Sequence, residues 1–116
     1  MKYACLVYLD QEGLDSVPDS DCIAFGEEMR SNGFDYAGEA LQPSFTATTV
    51  RVRNGRPMIV DGPFAETKEQ LAGFYLIDAK DLDAAIAFAA RIPPARAGSI
   101  EVRPVRELGA RREPRP

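Results

Sequence analysis

Lys2-Tyr3-Ala4-Cys5-Leu6-Val7-Tyr8-Leu9 is an unbroken apolar and aromatic run of strand length. A strand with one wet face alternates apolar and polar residues. A strand apolar on both sides is covered on both faces and sits inside a sheet. This run therefore reads as a central strand, and the rest of the chain must supply its neighbours and its cover. Next to it, Asp10 to Val17 reads as a polar loop around Gly13. Pro18-Asp19-Ser20-Asp21 opens a helix, with proline near the first turn and acids at the positive end of the helix dipole. Cys22, Phe25, Gly26 and Met29 form its apolar stripe at i, i+3, i+4 and i+7, and Asn32-Gly33 stops it.

Further out, Phe34 to Leu41 reads as a second strand with Gly38 as a weak point or bulge inside it, broken by Gln42-Pro43-Ser44. Ala47 to Arg53 alternates, with Val50 and Val52 opposite Thr49, Arg51 and Arg53, and Asn54-Gly55 turns it into a return strand over Arg56–Val60. Asp61-Gly62-Pro63-Phe64 is turn chemistry, and Ala65 to Gln70 allows one helical turn. Leu71 to Ala79 is a strand, with Leu71, Gly73, Tyr75 and Ile77 on one face and Ala72, Phe74 and Leu76 on the other. Asp81 caps a helix with the stripe Leu82, Ala85, Ile86 and Ala89, which Pro93-Pro94 ends. Ser99 to Val105 is the last strand.

The order is β-α-β, a hairpin, then β-α-β. This predicts an α+β fold, a ferredoxin-like βαββαβ unit with an inserted β-hairpin. Helices cover one face of the sheet. In so short a chain, a second copy is the natural cover for the other face, which predicts a homodimer with facing sheets. Residues 1–107 form a single domain, and residues 108–116, with Arg111, Arg112 and Arg115, form a flexible basic tail.

Composition narrows the chemistry. The chain has 116 residues, enough for one domain, and it contains no histidine. That removes the Ser-His-Asp triad, the Cys-His pair and the common histidine-bearing metal sites. Lys2 and Arg30 face nine acids across residues 1–50, a balance of −7, while residues 51–116 hold twelve basic residues against nine acids, +3. An acidic total without a basic face argues against direct nucleic-acid binding. Cys5 and Cys22 are too few for a disulfide framework and read as small buried apolar residues. Met1-Lys2 leads straight into the first strand without a leader pattern, and no apolar stretch approaches membrane length. A cytoplasmic protein without membrane contact is the expectation. Nothing predicts a cofactor or a metal; Glu66 and Glu69 make at best a weak oxygen site.

Asp61-Gly62-Pro63-Phe64-Ala65-Glu66-Thr67-Lys68-Glu69-Gln70-Leu71 is a long and specific signature. With Gly38-Glu39-Ala40-Leu41, Ala47-Thr48-Thr49-Val50-Arg51, Gly73-Phe74-Tyr75-Leu76-Ile77-Asp78, Asp81 to Ala85 and Gly98 to Val105, it resembles the DGPF-type branch of the YCII-related proteins over nearly the whole chain. The resemblance implies a dimeric α+β barrel. YCII-type relatives bring a histidine and an aspartate together in a cleft, and that pair cannot be carried over to a chain without histidine. Some DGPF-type proteins stand beside, or are fused to, extracytoplasmic-function sigma factors.

Two carboxylates are candidate catalytic groups. Asp61 ends a strand before a glycine that permits close backbone approach, and Glu39 lies in a mostly apolar strand where a charge needs a partner or a cleft. The structural alternatives are acceptance of turn amides by Asp61, and a salt bridge from Glu39 to Arg51 or Arg53. Thr49, Arg51, Gly62, Phe64, Glu66, Lys68 and Tyr75 are candidate ligand-binding residues: a polar strand face, the turn, an anion-holding lysine and a phenolic donor. The resulting expectation is a small dimer that binds a small organic molecule in a cleft between sheet and partner. The alternatives are a non-catalytic regulatory partner in sigma-factor-linked transcription and a carboxylate-based enzyme of isomerase or cyclase type.

Overall fold

The computed structural model describes residues 1–109. The chain is mixed α+β, and the opening run is the strand β1 (Lys2–Leu9), second from one edge of a four-stranded sheet. The order is β2 (Tyr36–Ala40), β5 (Gln70–Asp78), β1, β6 (Ser99–Pro104), and every neighbouring pair is antiparallel. Only one face of β1 is closed. Tyr3, Cys5, Val7 and Leu9 are buried, whereas Ala4, Leu6 and Tyr8 on the other face are half-buried.

The closed face carries the helices. Asp10 to Val17 is not a loop: it holds a helix α1 (Gln11–Ser16), because the Asp10 carboxylate accepts from the Gly13 amide at 2.7 Å and caps it. Helix α2 (Asp19–Ser31) starts after Pro18 and ends at Asn32 and Gly33 as its sequence requires. Phe25, Gly26 and Met29 are buried on it, and Cys22 is half-buried. Helix α3 (Leu82–Arg91) is capped by Asp81, which accepts from the Ala84 amide at 2.9 Å.

The buried stripe of α3 differs from the expected one. Ala85, Phe88 and Ala89 face the core, while Leu82 and Ile86 remain about half exposed, at 49% and 48%. Phe88 rotates the helix: its ring stacks on Phe34 at 5.0 Å and meets Phe25, Tyr75 and Tyr36 at 5.5–6.1 Å. A large aromatic outbids two aliphatic residues for the core because it removes more apolar surface from water. Ile92 is fully buried at the stop formed by Pro93-Pro94, and Ile77 of β5 is buried in the same core. Each such side chain contributes about 1.5–3 kcal/mol.

Strand β5 begins one residue earlier than its apolar pattern suggests, at Gln70, and carries a bulge. Val7 pairs with Gly73 and Tyr8 with Leu71, so Ala72 is the extra residue. The slip moves Leu71 off the face of Gly73, Tyr75 and Ile77. It joins Ala4, Leu6, Tyr8, Phe74 and Leu76 on the open side of the sheet. Gly38 is no bulge, since β2 stays in register through its pairing with Tyr75.

The hairpin stands apart. Strands β3 (Thr48–Arg53) and β4 (Arg56–Asp61) form their own two-stranded ribbon, turned at Asn54 (φ 52°) and Gly55 (φ 74°), both in the left-handed region that this tight turn needs. Nearly all of its side chains are exposed. Arg51 and Arg53 therefore face no strand of the main sheet, and neither forms the expected salt bridge with Glu39 among the described residues. No helix among the described residues is long and apolar enough to cross a membrane. The basic tail expected over 108–116 lies, from residue 110 on, outside the described residues.

Candidate functional site

The loop from Gly62 to Glu69 contains no helical turn. Its conformation comes from hydrogen bonds of both backbone and side chains. Gly62, at φ 103°, donates its amide to the Ala47 carbonyl at 2.7 Å, and the Thr49 hydroxyl donates to the Gly62 carbonyl at 2.8 Å. These two bonds tie the ribbon's base to the loop. At the other end the Gln70 amide nitrogen donates to the Ala65 carbonyl (3.2 Å), the Thr67 carbonyl (2.7 Å) and Thr67 Oγ1 (3.0 Å). Glu69 is held by the Ser99 hydroxyl, which donates to its carboxylate at 2.8 Å. Glu66 to Glu69 thus brace an irregular loop instead of capping a helix.

This loop and residues 41–46 wall two adjoining clefts. Residues 41–44, Pro63, Thr67, Gln70 and Leu71 contribute to both. The larger holds about 570 Å³ and is mainly apolar, closed by Tyr8, Ala47, Thr49 and Phe64. That volume falls in the range of small-molecule sites. The smaller, about 300 Å³, adds Asp10, Phe45, Glu66 and Lys68. Phe64 lines the larger cleft yet is 78% exposed, so little of its ring is packed within its own chain.

A third cleft of about 280 Å³ lies on the helix side of the sheet, where Cys22, Arg30, Tyr36 and Tyr75 come together beside the edge strand β2. Burial pushes the Tyr75 hydroxyl up to about 12, and the neighbouring Cys22 and Tyr36 add to the effect. Tyr75 is thus a neutral donor packed edge-on against Phe25 and Phe88. Burial raises the Cys22 thiol too, reinforced by Asp19 and Asp21 and opposed by Arg96. A thiol so shifted is a poor nucleophile. Arg30 lies over the Tyr36 ring at 4.8 Å.

The expected site residues are therefore divided. Thr49 and Phe64 meet in the large cleft, Glu66 and Lys68 in the small one, and Tyr75 lies in the third, while Glu39, at the edge of that cleft, pairs with Phe74 on the other face of the sheet. Asp61, Gly62 and Arg51 line none of these three. Asp61 pairs with Thr48 at the end of the ribbon, exposed, and its carboxylate accepts no hydrogen bond from the turn. Tyr8, Gln70 and Pro43 carry more of the geometry than their sequence context suggests. Gln70 was hidden at the edge of an apolar run, and the proline that breaks the second strand also shapes the cleft wall. No group of three or more Cys, Asp or Glu that could hold a metal stands among the described residues.

Residues 1–109 match the YCII-related domain, so the chain belongs to the YCII-related family. It is 52% identical over 67 residues to a protein of Rhizobium meliloti (strain 1021) described as uncharacterized. That match spans 56% of this chain and 54% of the relative, so the chain spans about half the length of the curated relative it matches.

Proposed function

We propose that the chain is one half of a dimeric α+β barrel that binds a small, largely apolar organic molecule in the cleft walled by Tyr8, Thr49, Phe64 and Leu71. The carrying observation is that Tyr8 and Leu71 belong to two surfaces at once: they line that cleft, and they pair across the open face of the sheet. A second sheet laid on this face would roof the cleft. The strand order supports a ferredoxin-like unit, since removal of the β3–β4 ribbon leaves βαββαβ with the first and third strands in the centre. The half-exposed Leu6, Tyr8, Phe74, Leu76 and Leu71 supply the apolar patch such a dimer needs.

Binding without catalysis fits the carboxylates better than the enzyme reading. Asp61 and Glu39 stand in separate places, and neither is buried. A general base of useful strength needs burial or a charged neighbour to tune it.

Titration with 8-anilinonaphthalene-1-sulfonate tests the reading. The wild-type chain is expected to bind the dye, and Phe64→Ala and Leu71→Ala to weaken binding by about five-fold or more, as expected for loss of buried apolar contact. Tyr75→Phe, in the third cleft, should leave binding unchanged. Unaltered binding in the first two variants, or no binding by the wild type, would overturn it.

A further inference from the structure

The β3–β4 ribbon is the part of the molecule that its own chain does not account for. A two-stranded hairpin is marginal alone in water. Here Val50, Val52, Met58, Ile59 and Val60 are 51–67% exposed. The radius of gyration, 16.5 Å, exceeds the roughly 13 Å of a compact chain near this length, as a projecting element requires.

The ribbon has two unlike faces. The pairs Val50–Ile59 and Val52–Pro57 make one apolar. The pairs Thr49–Val60, Arg51–Met58 and Arg53–Arg56 make the other, with three guanidinium groups over two apolar side chains. None of these arginines forms an ion pair with an acid among the described residues. The arginine face has a direction, because Thr49 at its base lines the large cleft beside Tyr8 and Leu71. It therefore continues the cleft wall and turns to the side on which the sheet is open. On that same open side Glu39 pairs with Phe74 across β2 and β5, exposed and without an ion pair among the described residues. Residues 1–50 carry a balance of −7, which a basic arm from another copy would meet.

We infer that the ribbon is an arm by which each protomer clasps a second copy of the chain, its Arg51 and Arg53 meeting Glu39 of the partner subunit while Met58 and Val60 lie on the partner's sheet. The clasp completes the cleft, so each site is closed by two chains. The salt bridge that the sequence suggests within one chain forms between two. This rests on the dimer through the open sheet face proposed above.

Sedimentation equilibrium of the full chain separates the two ideas. The wild type is expected to be a dimer, and Leu76→Asp, on the open face, a monomer. Arg51→Glu with Arg53→Glu should weaken the dimer by about ten-fold or more at low salt, with a smaller loss at high salt. Adding Glu39→Arg to that pair should restore it, whereas Val50→Ser with Ile59→Ser, on the opposite face, should leave it unchanged. Circular dichroism checks that each variant is folded. A monomeric wild type would overturn both ideas. A dimer that Leu76→Asp breaks, but that the arginine reversals leave intact or Glu39→Arg fails to restore, would overturn the arm alone.

Discussion

Leu71 stands opposite Tyr8 across β1 and β5, one position away from where unbroken alternation would put it. The displacement is the work of a single residue, Ala72. It lets one strand supply Gly73, Tyr75 and Ile77 to the core and Leu71 to the cleft on the other side of the sheet. Deleting Ala72 removes the extra residue, so Leu71 should follow Gly73 in unbroken alternation and stay opposite Tyr8 on the open face. The expected result is a folded chain that keeps its dye binding; loss of dye binding would show that the cleft needs the bulge itself.

Gln70 makes three bonds to two loop residues. Gln70→Ala should release the loop, at a cost of about 1–2 kcal/mol in stability. Amide exchange should quicken over Gly62–Glu69 and stay slow in β1. Gln70→Glu should behave no better, because a carboxylate offers the Ala65 and Thr67 carbonyls no donor. Equal protection of the loop in Gln70→Ala would contradict this assignment.

Neighbours in β5 should respond differently. Ile77 is fully buried and Leu76 is 44% exposed on the open face. Ile77→Ala should cost about 2–5 kcal/mol at any protein concentration. Leu76→Ala should cost about 1 kcal/mol or less in dilute solution. With the open face covered by a second copy, as proposed, it should cost more at high concentration. Melting temperature against protein concentration reads this directly, and parallel curves for wild type and Leu76→Ala would argue against a covered face.

Tyr75 predicts an alkaline limit. Its hydroxyl ionises near 10 when unfolded and near 12 in the folded chain. Below 10 both states hold the proton and this contribution to stability is complete. Between 10 and 12 the unfolded state loses its proton first, so stability falls as pH rises. Tyr75→Phe should flatten the part of that decline due to this group in a melting series from pH 9 to 12. A decline of the same steepness would assign it to other groups.

How much of this was legible in the sequence depends on how local each signal is. The Asp81 cap, the Asn54-Gly55 turn and the Pro93-Pro94 stop were readable because a few adjacent residues fix them. The helix at Gln11–Ser16 was obscured by its polar composition and its glycine, although Asp10 supplied the cap. The α3 stripe came out rotated because Phe88 answers to Phe34, distant in sequence. Family membership was plain in the signature from Asp61 to Leu71, yet the cleft assignments within that signature were not. Which residues of a loop share a cavity depends on the wall opposite, here Leu41–Thr46, and no spacing within the loop reports it.

Cys5 lies fully buried at the middle of β1, its thiol raised by that burial. Cys22 sits half-buried at the third cleft. The chain thereby carries two clocks of different speed. An alkylating reagent can reach Cys22 through local breathing of α2, but it reaches Cys5 only when β1 parts from its neighbours. The delay between the first and second label therefore measures how much longer the centre of the sheet stays shut than its surface.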